Sequence, residues 1–242
     1  MRVFAIGDLH LEGGTGKTMD RFGENWRDHD RKVFDGWERI GRPDDLLLLV
    51  GDISWAMRFD EAKPDLNRIG AMKGTKVMLK GNHDYWWTSR AKMARALDPS
   101  IKILQADSIV INRVGIAGTR GWVCPNDEYF RDEDQPIYER EVGRLEQAIE
   151  SLEARRSEFD RSIVALHYPP VNADHEPSGF LSLIEQFEPD TCVYGHLHGE
   201  GIRTGITGIR GKTAYYLVSA DSVDFIPARI DETFSGGPGE SD

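Results

Sequence analysis

Short apolar runs alternate along the chain with longer stretches in which apolar residues recur every three or four positions, and the two periods separate strands from helices. The runs at 2–6, 45–50, 76–79, 108–111, 114–117, 162–166, 191–194 and 213–219 predict strands, and the intervals around 30–40, 62–72, 88–97, 136–159 and 179–187 predict helices. The fourth helix has the strongest pattern. Tyr138, Val142, Leu145, Ile149 and Leu152 form one apolar stripe while Glu and Arg fill the other face, as a helix covering a sheet requires. Alternating strands and helices imply an α/β fold, and the runs 108–111 and 114–117, joined by Asn112-Arg113, predict a hairpin and therefore mixed sheets. The acidic, turn-rich segment 120–135 reads as a surface loop. No compositional seam divides the chain, so one domain is expected over 1–230. It is followed by an acidic tail, 231–242, whose Ser-Gly-Gly-Pro-Gly run favours disorder.

With 242 residues, 39% of them hydrophobic, the chain can bury a sizeable core. Its longest apolar runs, such as 46–50, fall far short of a membrane span. Met1-Arg2 precedes only a brief apolar run, unlike a signal peptide, and Cys124 and Cys192 form no C-x-x-C pair or disulfide framework. A cytoplasmic location is the expectation. Lys and Arg number 30 against 41 Asp and Glu, and the formal net charge of −11 argues against nucleic acid or anionic membranes as partners. Two divalent cations in a carboxylate-rich pocket would reverse the local sign and create a site for an anionic substrate.

The segment Gly7 to Thr18, GDLHLEGGTGKT, ends like a phosphate-binding loop. The loop motif needs glycine five positions before Gly16, where Leu11 stands, and a helix directly afterwards, so Gly13 to Lys17 reads as a flexible loop. The front of the segment carries the stronger signal. Asp8 and His10 follow the first strand, Asp52 the second, and Asn82, His83 and Asp84 the third; His167 follows VAL, and His196 with His198 follow VYG. Four of these five strand ends place glycine just before the polar residue, which permits a tight turn and close backbone approach. Ligands of open α/β sheets gather beyond the carboxyl ends of strands, and residues two apart on extended backbone face one side. The groups can therefore converge. Imidazole, carboxylate and amide oxygen suit Mn, Fe, Zn or related ions better than calcium, and seven donors suffice for two ions if one carboxylate bridges. Taken singly, Asp52 reads as a turn or cap residue and His167 as a core histidine; the ordered set of five is what points to metal.

The order D-x-H, G-D, G-N-H-D, isolated His and G-H-x-H, from Asp8 to His198, resembles the calcineurin-like metallophosphoesterase superfamily. The resemblance implies a four-layer α/β/β/α sandwich with two mixed sheets and a dinuclear metal site at the strand ends. It implies one divalent ion on Asp8, His10, Asp52 and His198 and a second on Asp52, Asn82, His167 and His196, with Asp52 bridging. The implied reaction is cleavage of a small or medium phosphomonoester or phosphodiester by a metal-bridging hydroxide. His83 would stabilise the transition state or protonate the leaving oxygen, with Asp84 hydrogen-bonded to it; a carboxylate at a helix N-terminus is the competing reading of Asp84. Arg58, Arg120, Trp122, Tyr85 and Trp86 are candidate substrate contacts, through guanidinium pairing with phosphate or through aromatic stacking. His29 and His175 read as surface residues. A superfamily nuclease and a non-catalytic binding module of the same fold are the alternatives.

Overall fold

A computed structural model describes residues 1–12 and 14–232, so Gly13 and the tail from 233 onward lie outside the described residues. In chain order the regular elements are β1 Val3–Ile6, α1 His29–Ile40, β2 Leu46–Val50, α2 Phe59–Ala71, β3 Thr75–Leu79, α3 Arg90–Ala96, β4 Ile101–Leu104, β5 Asp107–Ile111 and β6 Val114–Thr119. They continue with α4 Gln135–Glu153, β7 Arg161–Leu166, α5 Gly179–Phe187, β8 Thr191–Tyr194, β9 Gly208–Arg210, β10 Thr213–Leu217 and β11 Ala228–Arg229. One sheet has the order β11-β1-β2-β3-β4 and the other β5-β6-β7-β8-β10-β9. Within each, the central strands run parallel and the outer pairings β11 with β1, β5 with β6 and β9 with β10 run antiparallel, so both sheets are mixed.

The period of two along each strand sorts its side chains into different cores. Val3, Ala5, Leu46, Leu48, Val50, Val77 and Leu79 face Val114, Ile116, Ile163, Ala165 and Val193 between the sheets. Their neighbours Phe4, Ile6, Leu47, Leu49 and Met78 meet Val33 and Trp37 of α1 and Leu66 and Ile69 of α2. On the far side Ala117, Val164, Leu166, Cys192 and Tyr194 meet Leu145, Ile149 and Leu152 of α4 and Phe180 and Ile184 of α5. The result is helices, sheet, sheet, helices. A buried lysine closes one end of this packing: Lys76 Nζ donates to the carbonyls of Gly70, Met72 and Gly74, satisfying acceptors that follow from the end of α2.

Three strands escape the apolar pattern. In β4 the exposed Lys102 interrupts the run, and β9 and β11 have three and two residues, held by pairing with β10 and β1. The helix expected to reach 159 stops at Glu153, and after a 3-10 turn at Arg156–Glu158 the chain turns Phe159 into the core beneath α4. Segment 120–135 contains no strand, but it is anchored: Cys124 is buried, and Trp122 Nε1 donates to Asp134 at 2.9 Å. Both cysteines are free. Among the described residues no helix is long and apolar enough to cross a membrane.

Candidate metal centre

The carboxyl ends of β1, β2, β3, β7 and β8 meet at one edge, where their following turns are tied together by backbone bonds. Asp8 N–H donates to Gly51 O at 2.9 Å, His10 N–H to Asp52 O at 2.9 Å, and Gly195 N–H to His167 O at 3.1 Å. Glycine is required by proximity here. A Cβ on Gly81 would lie 2.0 Å from Asp52 Oδ1, and one on Gly195 would lie 2.4 Å from Asp8 Oδ2. Asp8, His10, Asp52 and His196 themselves adopt positive φ of 57°, 44°, 52° and 73°, a strained conformation retained where surrounding structure enforces it.

The side chains form two adjoining groups. Donor atoms of Asp8, His10 and His198 lie within 4.8 Å of one another, as do those of Asp8, Asp52 and His167. Asp8 is common to both groups, and Asp52 Oδ2 stands between His10 Nε2 at 3.8 Å and His167 Nε2 at 3.6 Å. Asn82 Oδ1 joins the second group through His167 Nε2 at 2.7 Å. The His196 ring lies beside it, 5.1 Å from the His167 ring, while its backbone N–H donates to Asp8 Oδ2 at 2.9 Å. Among the described residues, Asp8 Oδ1 and His10 Nδ1 are buried without a hydrogen-bond partner. Asp8 Oδ1 has only the 3.3 Å approach of His198 Nε2, and a cation between Asp8, His10 and His198 would complete its coordination. The residues therefore fit divalent ions.

The protonation pattern without ions supports the same fit. Burial holds His167 down at about 4 and His196 at about 3, leaving free imidazole lone pairs. Burial also lifts Asp52 well above the carboxylate range, reinforced by the charges of Asp84 and Asp8. Burial opposes a proton on His198, but Asp8 and hydrogen-bonded Asp221 outweigh it and raise the imidazole to about 10. The ion-free cluster thus carries protons where a divalent ion would bind. Because His198 must lose its proton to bind an ion, affinity for Mn²⁺ or Zn²⁺ is expected to increase from pH 6 to 9, by about tenfold per unit for each proton displaced. Competition with a calibrated chelator measures it; a flat profile would contradict the assignment of His198.

Several expected residues stand elsewhere. Asp84 does not bond His83: Oδ1 accepts from Ile53 N at 2.8 Å, Ser54 N at 3.3 Å and Trp86 Nε1 at 2.9 Å, and Oδ2 from Gly81 N at 2.8 Å. Consecutive residues in a turn point apart, so the fully buried Asp84 ties the second and third strand-end turns together, and α3 is capped by Ser89 instead. Asp84→Ala would strand these donors, at a cost of about 3–5 kcal/mol, and lower the melting temperature by roughly 10 °C, read by calorimetry on the ion-free chain. Trp86 is buried in the core and unavailable to substrate. Arg58 is exposed at the start of α2, its N–H bonded to Glu61, and does not line the cleft beside the cluster. Arg120 turns to Glu141 and Trp122, while Trp122 packs on Tyr168, whose ring lies tilted against His196 with centroids 4.0 Å apart. Tyr85 is exposed and edges the His83 ring at 6.3 Å. His29 is buried rather than exposed, placed between Trp26 O and Leu9 O, whereas His175 is exposed.

Others were not anticipated. Asp221 Oδ1 lies 2.7 Å from His198 Nδ1 and orients the ring; like the ligand residues it follows a strand, β10, which is the signal that could have exposed it. Trp55 stacks on His10 at 4.7 Å, and with Met19, Phe22, Trp26 and His83 it lines an apolar cleft of about 360 Å³. Among the described residues no α-helix directly follows Lys17, as a phosphate-binding loop requires: the next α-helix begins at His29, and Lys17 Nζ sits 5.4 Å from the Trp55 ring.

A double sheet presents carboxylate, imidazole and amide donors at its strand ends, an arrangement that suits metal-dependent hydrolysis. A model of the calcineurin-like phosphoesterase family matches residues 1–200, and the chain belongs to that family. No curated protein matches it. Among solved structures it is similar to a phosphopantetheinyl hydrolase from Mycobacterium tuberculosis, with 17% identity, coverage of 98% of both chains and a TM-score of 0.58. It is also similar to a protein of unknown function from Aquifex aeolicus, with 15% identity, coverage of 93% of this chain and 94% of that one and a TM-score of 0.52. A purple acid phosphatase from yellow lupin (Lupinus luteus) seeds has 15% identity and a TM-score of 0.50, with all of this chain covering 46% of that one.

Proposed function

We propose that the chain hydrolyses phosphomonoester or phosphodiester bonds of a small or medium substrate at two divalent ions. Asp8, His10, Asp52 and His198 would hold one, and Asp52, Asn82, His167 and His196 the other. The observation that carries this reading is the pair of donor groups that share Asp8, with Asp52 Oδ2 within 4 Å of both His10 and His167. Bound ions of this kind lower the pKa of water and neutralise phosphoryl oxygens.

The protein's own groups supply orientation and proton transfer. His83 lines the cleft with His10 and His198, and its backbone N–H donates to Asp52 Oδ1 at 2.8 Å. Burial lowers its pKa, so the imidazole is neutral at pH 7 in the free protein. An incoming phosphoryl anion favours the imidazolium, which can then give its proton to the leaving oxygen. The apolar cleft lined by Trp55, Trp26, Phe22 and Met19 suits an apolar or aromatic leaving group. Its lining lacks the row of Lys and Arg that a nuclease would need along a polynucleotide. The two free, buried cysteines agree with a reducing compartment, the cytoplasm.

The test is hydrolysis of p-nitrophenyl phosphate and its bis-ester by chelator-stripped protein refilled with Mn²⁺, Zn²⁺ or Fe²⁺. Ion-dependent turnover is expected, and the mono/bis ratio ranks the two ester classes. Failure with every ion and both esters, despite two ions bound per chain, would turn the reading toward a binding module.

A further inference from the structure

A second cavity, of about 250 Å³, opens between the ends of β3, β4 and β6 and the flank of α4. Its lining is cationic in an otherwise acidic chain: Lys80 follows β3, Arg120 follows β6, and Arg140 and Arg144 project from α4. Among the residues that line the cavity a single carboxylate, Glu141, answers them, with the buried Asp84 acting on Lys80 from outside the lining. Glu141 is fully buried; its Oε2 accepts from Thr119 Oγ1 at 2.6 Å, and its Oε1 accepts from Arg144 at 2.6 Å. Arg120 and Arg140 approach that same Oε1 at 3.6 and 3.9 Å, too far to share it well.

Lys80 has less still. Among the described residues it makes no hydrogen bond and no ion pair, although it is only partly exposed. Packing an unpartnered ammonium beside three guanidiniums costs free energy that an incoming multiply charged anion would offset. Guanidinium forks with a flexible ammonium suit a tetrahedral oxyanion.

We propose that this cavity binds a phosphoryl dianion, separately from the ion-binding cluster. The two sites adjoin. Lys80 lies two residues before Asn82, and Arg120 O accepts the N–H groups of both His167 and Tyr168 at 3.0 Å. The occupant is therefore either a second, non-reacting phosphoryl group of a substrate or free phosphate.

Isothermal titration of the full chain with inorganic phosphate, in chelator and at low salt, tests the site with the ion cluster unloaded and without turnover. The result thus stands or falls apart from the hydrolase reading. One phosphate per chain is expected, weakened at least tenfold by Lys80→Met and likewise by Arg140→Gln with Arg144→Gln, and weakened as salt is added. Because Arg144 is the 2.6 Å donor to buried Glu141, Arg140→Gln alone, an exposed side chain 3.9 Å from that oxygen, remains informative if Lys80→Met or the double variant fails to fold. Absence of saturable binding, or affinity unchanged in the variants, would overturn the proposal. With ions restored, pyrophosphate binding at least tenfold tighter than phosphate in the wild type but not in the double variant assigns the anion to a substrate. Equal binding of the two assigns it to free phosphate; either result supports the site.

Discussion

Asp52→Asn is expected to lower metal-dependent hydrolysis by at least about 10³-fold and to reduce bound metal from two ions per chain to one or fewer. The position explains the size of the effect. Asp52 Oδ2 lies 3.8 Å from His10 Nε2 and 3.6 Å from His167 Nε2, so on the proposed assignment one oxygen would reach both ions. Oδ1 is engaged by the His83 N–H at 2.8 Å, which fixes the carboxylate plane. Asparagine preserves the shape but removes the negative charge and half of the acceptor capacity, leaving a poor bridge. The same substitution has an opposite signature in the ion-free chain. There burial and the neighbouring Asp84 and Asp8 hold the Asp52 carboxyl well above its ordinary range, so the neutral amide replaces a group whose charged form the fold disfavours. The melting temperature of the stripped variant should equal or exceed that of the stripped wild type. Elemental analysis, turnover and calorimetry together separate a lost bridge from a damaged fold, and retention of both ions with near-normal turnover would remove Asp52 from the bridging role.

His83→Ala carries the second large effect: kcat on an alkyl phosphoester should fall by about 10² to 10⁴ while both ions remain bound. The backbone bond from residue 83 to Asp52 survives in alanine, so the ion cluster keeps its geometry. Loss of the imidazole removes a proton donor from the cleft shared by His10, Trp55 and His198. Because p-nitrophenolate leaves without protonation, the defect should be much smaller on p-nitrophenyl phosphate than on the alkyl ester. Equal losses on both would shift His83 from proton donor to charge stabiliser, and an unchanged alkyl-ester rate would exclude it from catalysis.

Much of the architecture was legible because burial imposes a period. Leu46 to Val50 reads as a strand buried on both faces, and its odd and even positions enter different cores. The stripe from Tyr138 to Leu152 likewise marks α4, with Tyr138, Leu145, Ile149 and Leu152 buried. β9 and β11 had no such signal, since two or three residues are too few to show a period and are held by pairing with a longer neighbour. For the site, glycine followed by a ligand-type residue at successive strand ends was readable from the chain. The roles of Asp84 and Trp86 were not: adjacency to His83 says nothing about direction, and the turn sends one side chain to four N–H donors and the other into the core. Arg120 and Glu141 meet only because α4 packs across β6.

By itself the chain determined which residue types stand at the strand ends and in what order, because local periodicity and glycine placement are written in neighbouring residues. Only the tertiary structure decided which of those residues share an ion-sized space, which oxygen is left without a partner, and that Asp221 orients His198. Residues 8 and 198 come together through the stacking of two sheets across a common apolar layer, and that distance depends on the whole packed core rather than on any local pattern.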